Sequence, residues 1–278
     1  MHNTTGTDVI RRNNVTSAGG GDGPVLLFSH GFGCDSNTWR SVAPRFTDDH
    51  RVVLFDHVGA GGSDLGAWSP RRYADLGGYA RDVVELCEAL DLRDVVFVGH
   101  SVSAVIGVLA AARVPDRFAG LVLVGPSPRY LNDGDYVGGF TEADVEELLE
   151  AVESNYLGWS ATMAPAIMGV PDRPDLGADL TASFCRTDPQ IARHFARVTF
   201  TADNRADLPS VAHPTLILQC RQDIIAPVVV GEYVRDAIPG SELELLDATG
   251  HCPHLSAPEE TAAALRGFLD RLAAARGR

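Results

Sequence analysis

Short apolar runs alternate with longer amphipathic segments along most of this chain, and this alternation limits the architectures open to it. The six runs are VLLFS from Val25, RVVLFD from Arg51, DVVFVG from Asp94, GLVLVG from Gly120, PTLILQC from Pro214 and ELELLD from Glu242. Most are apolar at nearly every position, which is typical of strands covered on both faces of a sheet. The sequence therefore predicts an α/β fold, with a mostly parallel sheet and helices on both faces.

The alternation is interrupted once, between residues 126 and 209. This stretch contains no strand-like run, but it contains helical patterns such as TEADVEELLEAVESNYLGW and DPQIARHFARVTF. It is too long for a loop, so we expect a helical lid insertion at 126–209 in a core formed by residues 1–125 and 210–278. An insertion after a strand's carboxyl end lies where open α/β sheets bind ligands. Near the N-terminus, DVIRR and NVTSA predict a short hairpin.

Charge and cysteine content exclude several classes of partner. The net charge of −14 would repel phosphate backbones and anionic membranes, so neither nucleic acid nor a membrane is expected as a partner. The five cysteines are scattered and lack CxxC spacing, which indicates reduced thiols and not a disulfide framework. The N-terminal segment shows no apolar signal region, and no apolar run is long enough to span a bilayer. These features predict a cytoplasmic protein.

The strongest local signal is the segment DVVFVGHSVSAVIGVLAA. A strand-like run ends at Gly99-His100-Ser101-Val102-Ser103, and a helix rich in alanine and valine begins at once. This is the strand–turn–helix context of the G-x-S-x-G nucleophile motif, which lifts the serine hydroxyl clear of the sheet. Ser103 stands where the pattern has its second glycine, so the match is weaker there. The alternative, that Ser101 only caps a helix, does not account for the whole segment.

A serine nucleophile needs a base, and the base needs an acid to orient it. The histidine is expected in ATGHCPHLSAPE after the last run, because the chain order of this fold is serine, acid, histidine. His251 directly follows a glycine at the strand exit and is favoured over His254. Asp223 follows PTLILQC and is the expected acid. Asp247 is the competing candidate, but it lies on the same strand exit as the histidine and is therefore expected to be too close to it in the chain to face it.

The same chemistry requires two backbone N–H groups that face the developing oxyanion. Val102, directly after the nucleophile, is expected to supply one of them. The other is expected from Phe32, in the glycine-flanked turn His30-Gly31-Phe32-Gly33 after the first run. By itself that turn would be an ordinary glycine turn.

No cofactor is predicted. The segment DHVGAGGSD lacks the lysine and spacing of a phosphate-binding loop, so a structural turn explains it better. His251, Cys252 and His254 resemble part of a metal cluster, but no second pair of ligands has suitable spacing, so no metal is expected.

Aromatic residues are frequent in the expected insertion. Phe140, Trp159, Phe195 and Phe200 are predicted to line a substrate pocket. Helices of a lid also need a core of their own, so each of these residues has that alternative role.

With these motifs placed, the chain resembles the α/β-hydrolase superfamily and, within it, the RsbQ-like group. That group includes the bacterial regulator of the sigma-B energy-stress pathway and the plant karrikin and strigolactone receptor hydrolases. The resemblance extends over nearly the whole chain, and the bacterial regulator is the more similar of the two. The segments that carry the resemblance most specifically are GFGCDSNTW, DHVGAGGSDL, GHSVSA, VGPSPRYLND, GGF, LILQCRQDIIAP and GHCPHLS.

The resemblance implies the same triad and oxyanion donors, and a V-shaped lid of four helices over a mainly hydrophobic cavity. Two functions are compatible with it. One is a serine hydrolase acting on a small hydrophobic ester or lactone. The other is a signalling module that binds such a ligand and acts through a regulatory protein partner, such as a PAS-containing phosphatase.

Overall fold

A computed structural model describes residues 6–276 of the chain. Its seven strands form one sheet in the order β1-β3-β2-β4-β5-β6-β7. The strands are β1 Thr16–Ala18, β2 Val25–Ser29, β3 Val52–Leu54, β4 Val95–His100, β5 Phe118–Val124, β6 Thr215–Gln222 and β7 Glu242–Thr249. All neighbours pair in parallel except β1, which is antiparallel to β3. The predicted α/β fold with a mostly parallel sheet is confirmed.

Helices cover both faces of this sheet. They are α1 Gly6–Arg12, α2 Leu76–Ala89, α3 Val102–Arg113, α4 Glu142–Ser154, α5 Tyr156–Met168, α6 Pro174–Arg186, α7 Pro189–Thr201, α8 Val228–Ala237, α9 Pro253–Ser256 and α10 Pro258–Arg276. Successive residues of a strand point to opposite faces, and strand β4 shows the result. Phe97 belongs to the hydrophobic core shared with α2 and α3, whereas Val96 and Val98 belong to the core shared with α10. None of the helices within residues 6–276 is both long and apolar enough to cross a membrane.

Four consecutive helices, α4 to α7, lie between strands β5 and β6. They share a hydrophobic cluster that includes Val152, Tyr156 and Phe184. The same cluster contains Cys34 and Cys252, which lie in loops after β2 and β7. The helices therefore pack directly onto the loops at the carboxyl ends of the strands.

The predicted N-terminal hairpin is wrong. The segment DVIRR lies in helix α1, and only Thr16–Ala18 of the second segment forms a strand, paired with β3. Tertiary contacts favour the helix: Val9 is buried in the core, and the Arg12 guanidinium forms ion pairs with Asp82 at 3.2 Å and Glu85 at 2.6 Å on helix α2.

Candidate active site

Ser101 occupies the sharp turn between strand β4 and helix α3. Its backbone has φ 57° and ψ −125°, a conformation that costs a non-glycine residue about 1–3 kcal/mol. The Ser101 N–H donates to Val124 O on β5 at 2.8 Å, which helps to hold the turn. A Cβ at Gly99 would lie 2.5 Å from Ser103 O, so only glycine allows α3 to approach the strand this closely. The turn places the Ser101 side chain at the carboxyl edge of the sheet.

Two further side chains, His251 after strand β7 and Asp223 after strand β6, continue a chain of hydrogen bonds that begins at Ser101. His251 Nε2 lies 2.7 Å from Ser101 Oγ, and His251 Nδ1 lies 2.7 Å from Asp223 Oδ2. Because a carboxylate only accepts, Nδ1 carries the proton and the Ser101 hydroxyl donates to the free Nε2. The His251 side chain is 4% exposed and that of Asp223 is 1% exposed. The three residues therefore form a chain of hydrogen bonds shielded from water.

Asp223 is held by the turn that follows strand β6. Its Oδ1 accepts from the N–H groups of Ile225 at 2.8 Å and Ala226 at 3.0 Å, which leaves Oδ2 to face His251. The competing Asp247 has a side chain that is 92% exposed, and it pairs with Arg221 at 3.7 Å. The structure brings Asp223, and not Asp247, to the histidine.

Two more histidines lie behind His251. His100 Nε2 donates to the backbone oxygen of His251 at 2.7 Å, and the ring of His254 packs against Trp39 with centroids 4.4 Å apart. Burial lowers the pKa of His254 to about 3 and that of His100 well below its ordinary value. Both are therefore neutral at physiological pH. Neither ring nitrogen of His254 has a hydrogen-bond partner among residues 6–276, so His254 is a packing neighbour of the site.

The loop after strand β2 lies against the nucleophile turn. A Cβ at Gly31 would lie 2.6 Å from His100 Nδ1 and 3.3 Å from Ser101 Cβ, so the loop needs glycine to come this close. Phe32, the next residue, lines the same cavity as Ser101. Val102 is the first residue of helix α3, where N–H groups have no partner inside the helix.

An apolar cavity of about 50 Å³ lies over Ser101 and His251. Its lining also includes Phe32, Cys34, His100, Tyr130, Phe140, Leu148, Trp159, Met163, Ile167, Leu180, Phe184, Thr199, Phe200, Ile225 and Cys252. Phe140, Trp159 and Phe200 therefore lie where the sequence predicts pocket residues. Phe195 does not: its ring stacks on Tyr79 with centroids 4.4 Å apart, on the side of α7 that faces the α/β core.

Tyr130 is a site residue that the sequence reasoning missed. Its hydroxyl lies 3.2 Å from Ser101 Oγ, and it is the donor because Ser101 gives its own proton to His251. Burial raises the pKa of Tyr130, so the phenol stays protonated. The available signal was a tyrosine shortly after the carboxyl end of a predicted strand.

Two thiols in the cavity wall do not compete with Ser101 as nucleophiles. Burial raises the pKa of Cys34 to about 12 and that of Cys252 well above its ordinary value, and the protonated thiol is unreactive. All five cysteines are free. In the part of the chain that the structure describes, no three His, Cys, Asp or Glu side chains are arranged to hold a metal ion.

A mostly parallel sheet with a Ser–His–Asp arrangement at the carboxyl ends of its strands defines the class of α/β hydrolases. The chain belongs to the α/β-hydrolase fold family, whose family model matches residues 24–258. It is 40% identical to karrikin insensitive 2 receptor CA of Petunia hybrida over 256 residues, which cover 90% of this chain and 93% of the relative. It is 38% identical to a strigolactone esterase of Arabidopsis thaliana over 265 residues, 95% of this chain and 98% of the relative.

A solved structure is similar over nearly the whole molecule. It is a hydrolase from Oleispira antarctica, with a TM-score of 0.93 and 42% identity over 96% of this chain and 97% of the other. The relatives thus include proteins named as esterases, as hydrolases and as receptors.

Proposed function

We propose that this chain is a serine hydrolase that cleaves a small apolar ester or lactone through an acyl-enzyme intermediate. The observation that carries the proposal is the hydrogen-bonded chain from Ser101 Oγ to His251 and from His251 to Asp223, with 2.7 Å at each step. Ser101 is the nucleophile, His251 the general base and Asp223 the residue that orients the imidazole.

The reaction follows from these positions. As Ser101 Oγ bonds to the substrate carbonyl carbon, its proton moves to His251 Nε2, and the carbonyl oxygen becomes an oxyanion. When the C–O bond breaks, His251 returns the proton to the leaving alcohol oxygen, and the acyl group stays on Ser101. Water then gives a proton to His251 as its oxygen bonds to the acyl carbon. The bond between that carbon and Ser101 Oγ breaks, the acid leaves, and His251 returns the proton to Oγ.

The oxyanion is assigned to the backbone N–H groups of Phe32 and Val102. Val102 follows Ser101 directly in the chain. Phe32 follows Gly31, the residue that lies against the Ser101 side chain. Such donors act strongly because they are fixed before the charge develops and are shielded from water. The Tyr130 hydroxyl donates to Ser101 Oγ in the resting site and so helps to hold the nucleophile in place.

The cavity indicates the class of substrate. None of the described residues that line it is Asp, Glu, Lys or Arg, so a charged substrate would find no counter-charge there. A volume of about 50 Å³ holds only a few water molecules, so an ester enters only if lining side chains or helices move. We therefore assign residues 126–209 as a lid that opens over a catalytic core of residues 1–125 and 210–278.

A ligand-sensing module is the second candidate, because two relatives of similar identity are named as a receptor and as an esterase. In that case the hydrolase site retains ligand or product, and the closed lid presents a surface to a regulatory protein. A PAS-containing phosphatase as the partner and a cytoplasmic location both stay predictions.

The first experiment tests the nucleophile. A fluorophosphonate probe should label the wild-type protein once, and mass spectrometry should place the adduct on Ser101. Ser101→Ala should fold and remain unlabelled. Ser160→Ala is the matched control, because Ser160 is buried on helix α5, where its hydroxyl donates to Tyr156 O at 2.7 Å. Labelling of Ser101→Ala at the wild-type rate would refute the assignment.

The second experiment separates the two candidates. Pre-steady-state kinetics with chromogenic esters and lactones measure acylation and deacylation separately. A stoichiometric burst followed by slow turnover supports the sensing module. Turnover without a burst at hundreds per second, in the upper part of the usual enzyme range of about 1–1,000 per second, supports a metabolic esterase.

A further inference from the structure

The serine that replaces glycine in the nucleophile motif is the centre of a buried polar network. Ser103 is fully buried near the start of helix α3, and its Oγ donates to the carbonyl oxygen of His30 at 2.5 Å. Ser29 Oγ lies 3.0 Å from Ser103 Oγ, and His57 Nε2 lies 2.8 Å from it. One hydroxyl thus joins the nucleophile helix, the end of strand β2 and the loop after strand β3.

The hydrogens of this network can be assigned. The His30 carbonyl only accepts, so the single hydroxyl proton of Ser103 is directed there. Ser29 Oγ and His57 Nε2 must then both donate to Ser103 Oγ, which makes His57 the Nε2–H tautomer. Its Nδ1 is buried without a partner among residues 6–276, and burial lowers the pKa of His57 well below its ordinary value. His57 is therefore a fixed neutral donor.

The same network reaches the peptide bond that precedes Phe32. His30 Nε2 accepts from the His57 backbone N–H at 3.0 Å, so His30 Nδ1 is protonated and donates to Gly31 O at 2.9 Å. In a trans peptide the C=O and the N–H of the next residue point in opposite directions. The Gly31 carbonyl and the Phe32 N–H belong to one peptide, so fixing that carbonyl fixes the direction of the N–H. The His30 carbonyl, held by Ser103, fixes the peptide directly before it.

We propose that Ser103 is a positioning residue whose hydroxyl, supported by His57 and Ser29, keeps the Phe32 N–H aimed at the oxyanion. This inference rests on the proposed function of Ser101. Glycine at position 103 would remove the partner of the His30 carbonyl and leave Ser29 and His57 only their mutual contact, 3.2 Å between Ser29 Oγ and His57 Nε2. Buried polar groups that lose a partner tend to shift until they find another. Here that shift would rotate the loop after strand β2, which carries the Phe32 N–H.

The test compares Ser103→Ala and Ser103→Gly with the wild type. We expect kcat to fall roughly tenfold, less than the 10²–10³-fold loss on deleting an oxyanion donor outright, while KM changes less than about twofold. Binding of a trifluoromethyl ketone, whose adduct carries an oxyanion, should weaken in the same proportion as kcat. Ser160→Ala should change neither quantity. A Ser103 variant that only unfolds more easily, with kcat and ketone affinity unchanged, would overturn the proposal.

Rescue at His57 provides a second readout. His57→Gln can place an amide N–H near the position of Nε2, so it should retain most of the activity, whereas His57→Phe should lose about as much as Ser103→Ala. The double variant His57→Phe with Ser103→Ala should lose no more than either single variant, because the two residues act as one unit. Independent, additive losses would contradict the network.

Failure of the proposed function is distinguishable from failure of this inference. If the wild-type protein is neither labelled by fluorophosphonate nor active on esters, the proposed function fails. Crystal structures of the wild type and of Ser103→Ala then test the positioning role of Ser103 independently of any activity. A rotated Gly31–Phe32 peptide in the variant supports the positioning role, and an unchanged peptide overturns it.

Discussion

The backbone N–H of His251 donates a hydrogen bond to the carbonyl oxygen of Ile167, with 2.8 Å between the two atoms. Ile167 lies in the last turn of helix α5, where carbonyl oxygens have no partner inside the helix. Gly250, directly before the histidine, packs against the same helix end. The position of α5 is therefore linked to that of the proposed base.

This link predicts the effect of a methyl group at Gly250. Gly250 has φ +88°, and a Cβ there would overlap the carbonyl oxygen of Met168. Gly250→Ala should push α5 and His251 apart, lower kcat at least tenfold and reduce the free energy of unfolding by more than about 2 kcal/mol. Steady-state kinetics and urea unfolding measure both effects.

Gly240→Ala is the matched control. Gly240 has φ +71°, and apart from its own chain neighbours no atom of residues 6–276 would lie within 4 Å of a Cβ added there. The change should therefore cost only about 1–2 kcal/mol and leave kcat unaltered. Equal effects of the two substitutions on kcat would contradict a link between α5 and His251.

The two aspartates that compete as orienting acid give a second prediction. Asp223→Asn keeps the shape of the side chain but favours the wrong histidine tautomer, so kcat should fall about 10⁴-fold with little loss of stability. Asp247→Asn, at an exposed side chain, should leave kcat within about twofold of the wild type. The measurement is ester turnover under saturating substrate. Comparable losses in both variants would contradict the assignment of Asp223.

The sheet and the candidate triad could be predicted because local patterns specify them. Apolar runs mark the buried strands, and Gly99 with Ser101 marks a turn where a strand passes directly into a helix. Chain order then leads to Asp223 and His251. The relation to the plant receptor hydrolases is confirmed by the relatives. The greater resemblance to the bacterial regulator stays a prediction.

Features set by tertiary contacts could not be predicted in this way. Helix α1 depends on the ion pairs of Arg12 with α2, far away in the chain. Phe195 and Phe200 lie five positions apart, which is about 140° around a helix. Phe195 therefore faces the α/β core, and Phe200 faces the cavity. That spacing was visible in the sequence. The role of Ser103 was not, because its partners come from two other segments.

The opposite orientations of these two phenylalanines give a third prediction. Phe200 lines the cavity and packs on Tyr130 with centroids 4.9 Å apart, so Phe200→Ala should enlarge the cavity over Ser101. The ratio of kcat/KM for a bulky acyl ester to that for an acetate should rise about tenfold. Phe195→Ala should instead cost about 3 kcal/mol of stability and leave the ratio unchanged. A rise of similar size in both variants would contradict the opposite orientations of the two residues.

A histidine that is buried in its neutral form makes the free energy of unfolding depend on pH. His254 is such a histidine. The pKa of His254 is about 3 in the folded protein and close to 6.5 when the chain is unfolded. Between these values the unfolded chain binds the extra proton, so the free energy of unfolding must fall as the pH is lowered from about 6.5 towards 3.

His254→Phe should remove this contribution, because phenylalanine retains the packing on Trp39 and the histidine nitrogens have no partner to lose among the described residues. Relative to the wild type, the variant should gain about 1.4 kcal/mol for each unit that the pH drops below about 6. Urea unfolding at pH values of about 7.5, 6 and 5 measures the gain, and fluorophosphonate labelling at the highest of these checks that the site is intact. His57 and His100 remain in both proteins, so a residual loss of stability in acid is expected in both. Parallel stability curves would show that His254 does not have a lowered pKa in the folded state.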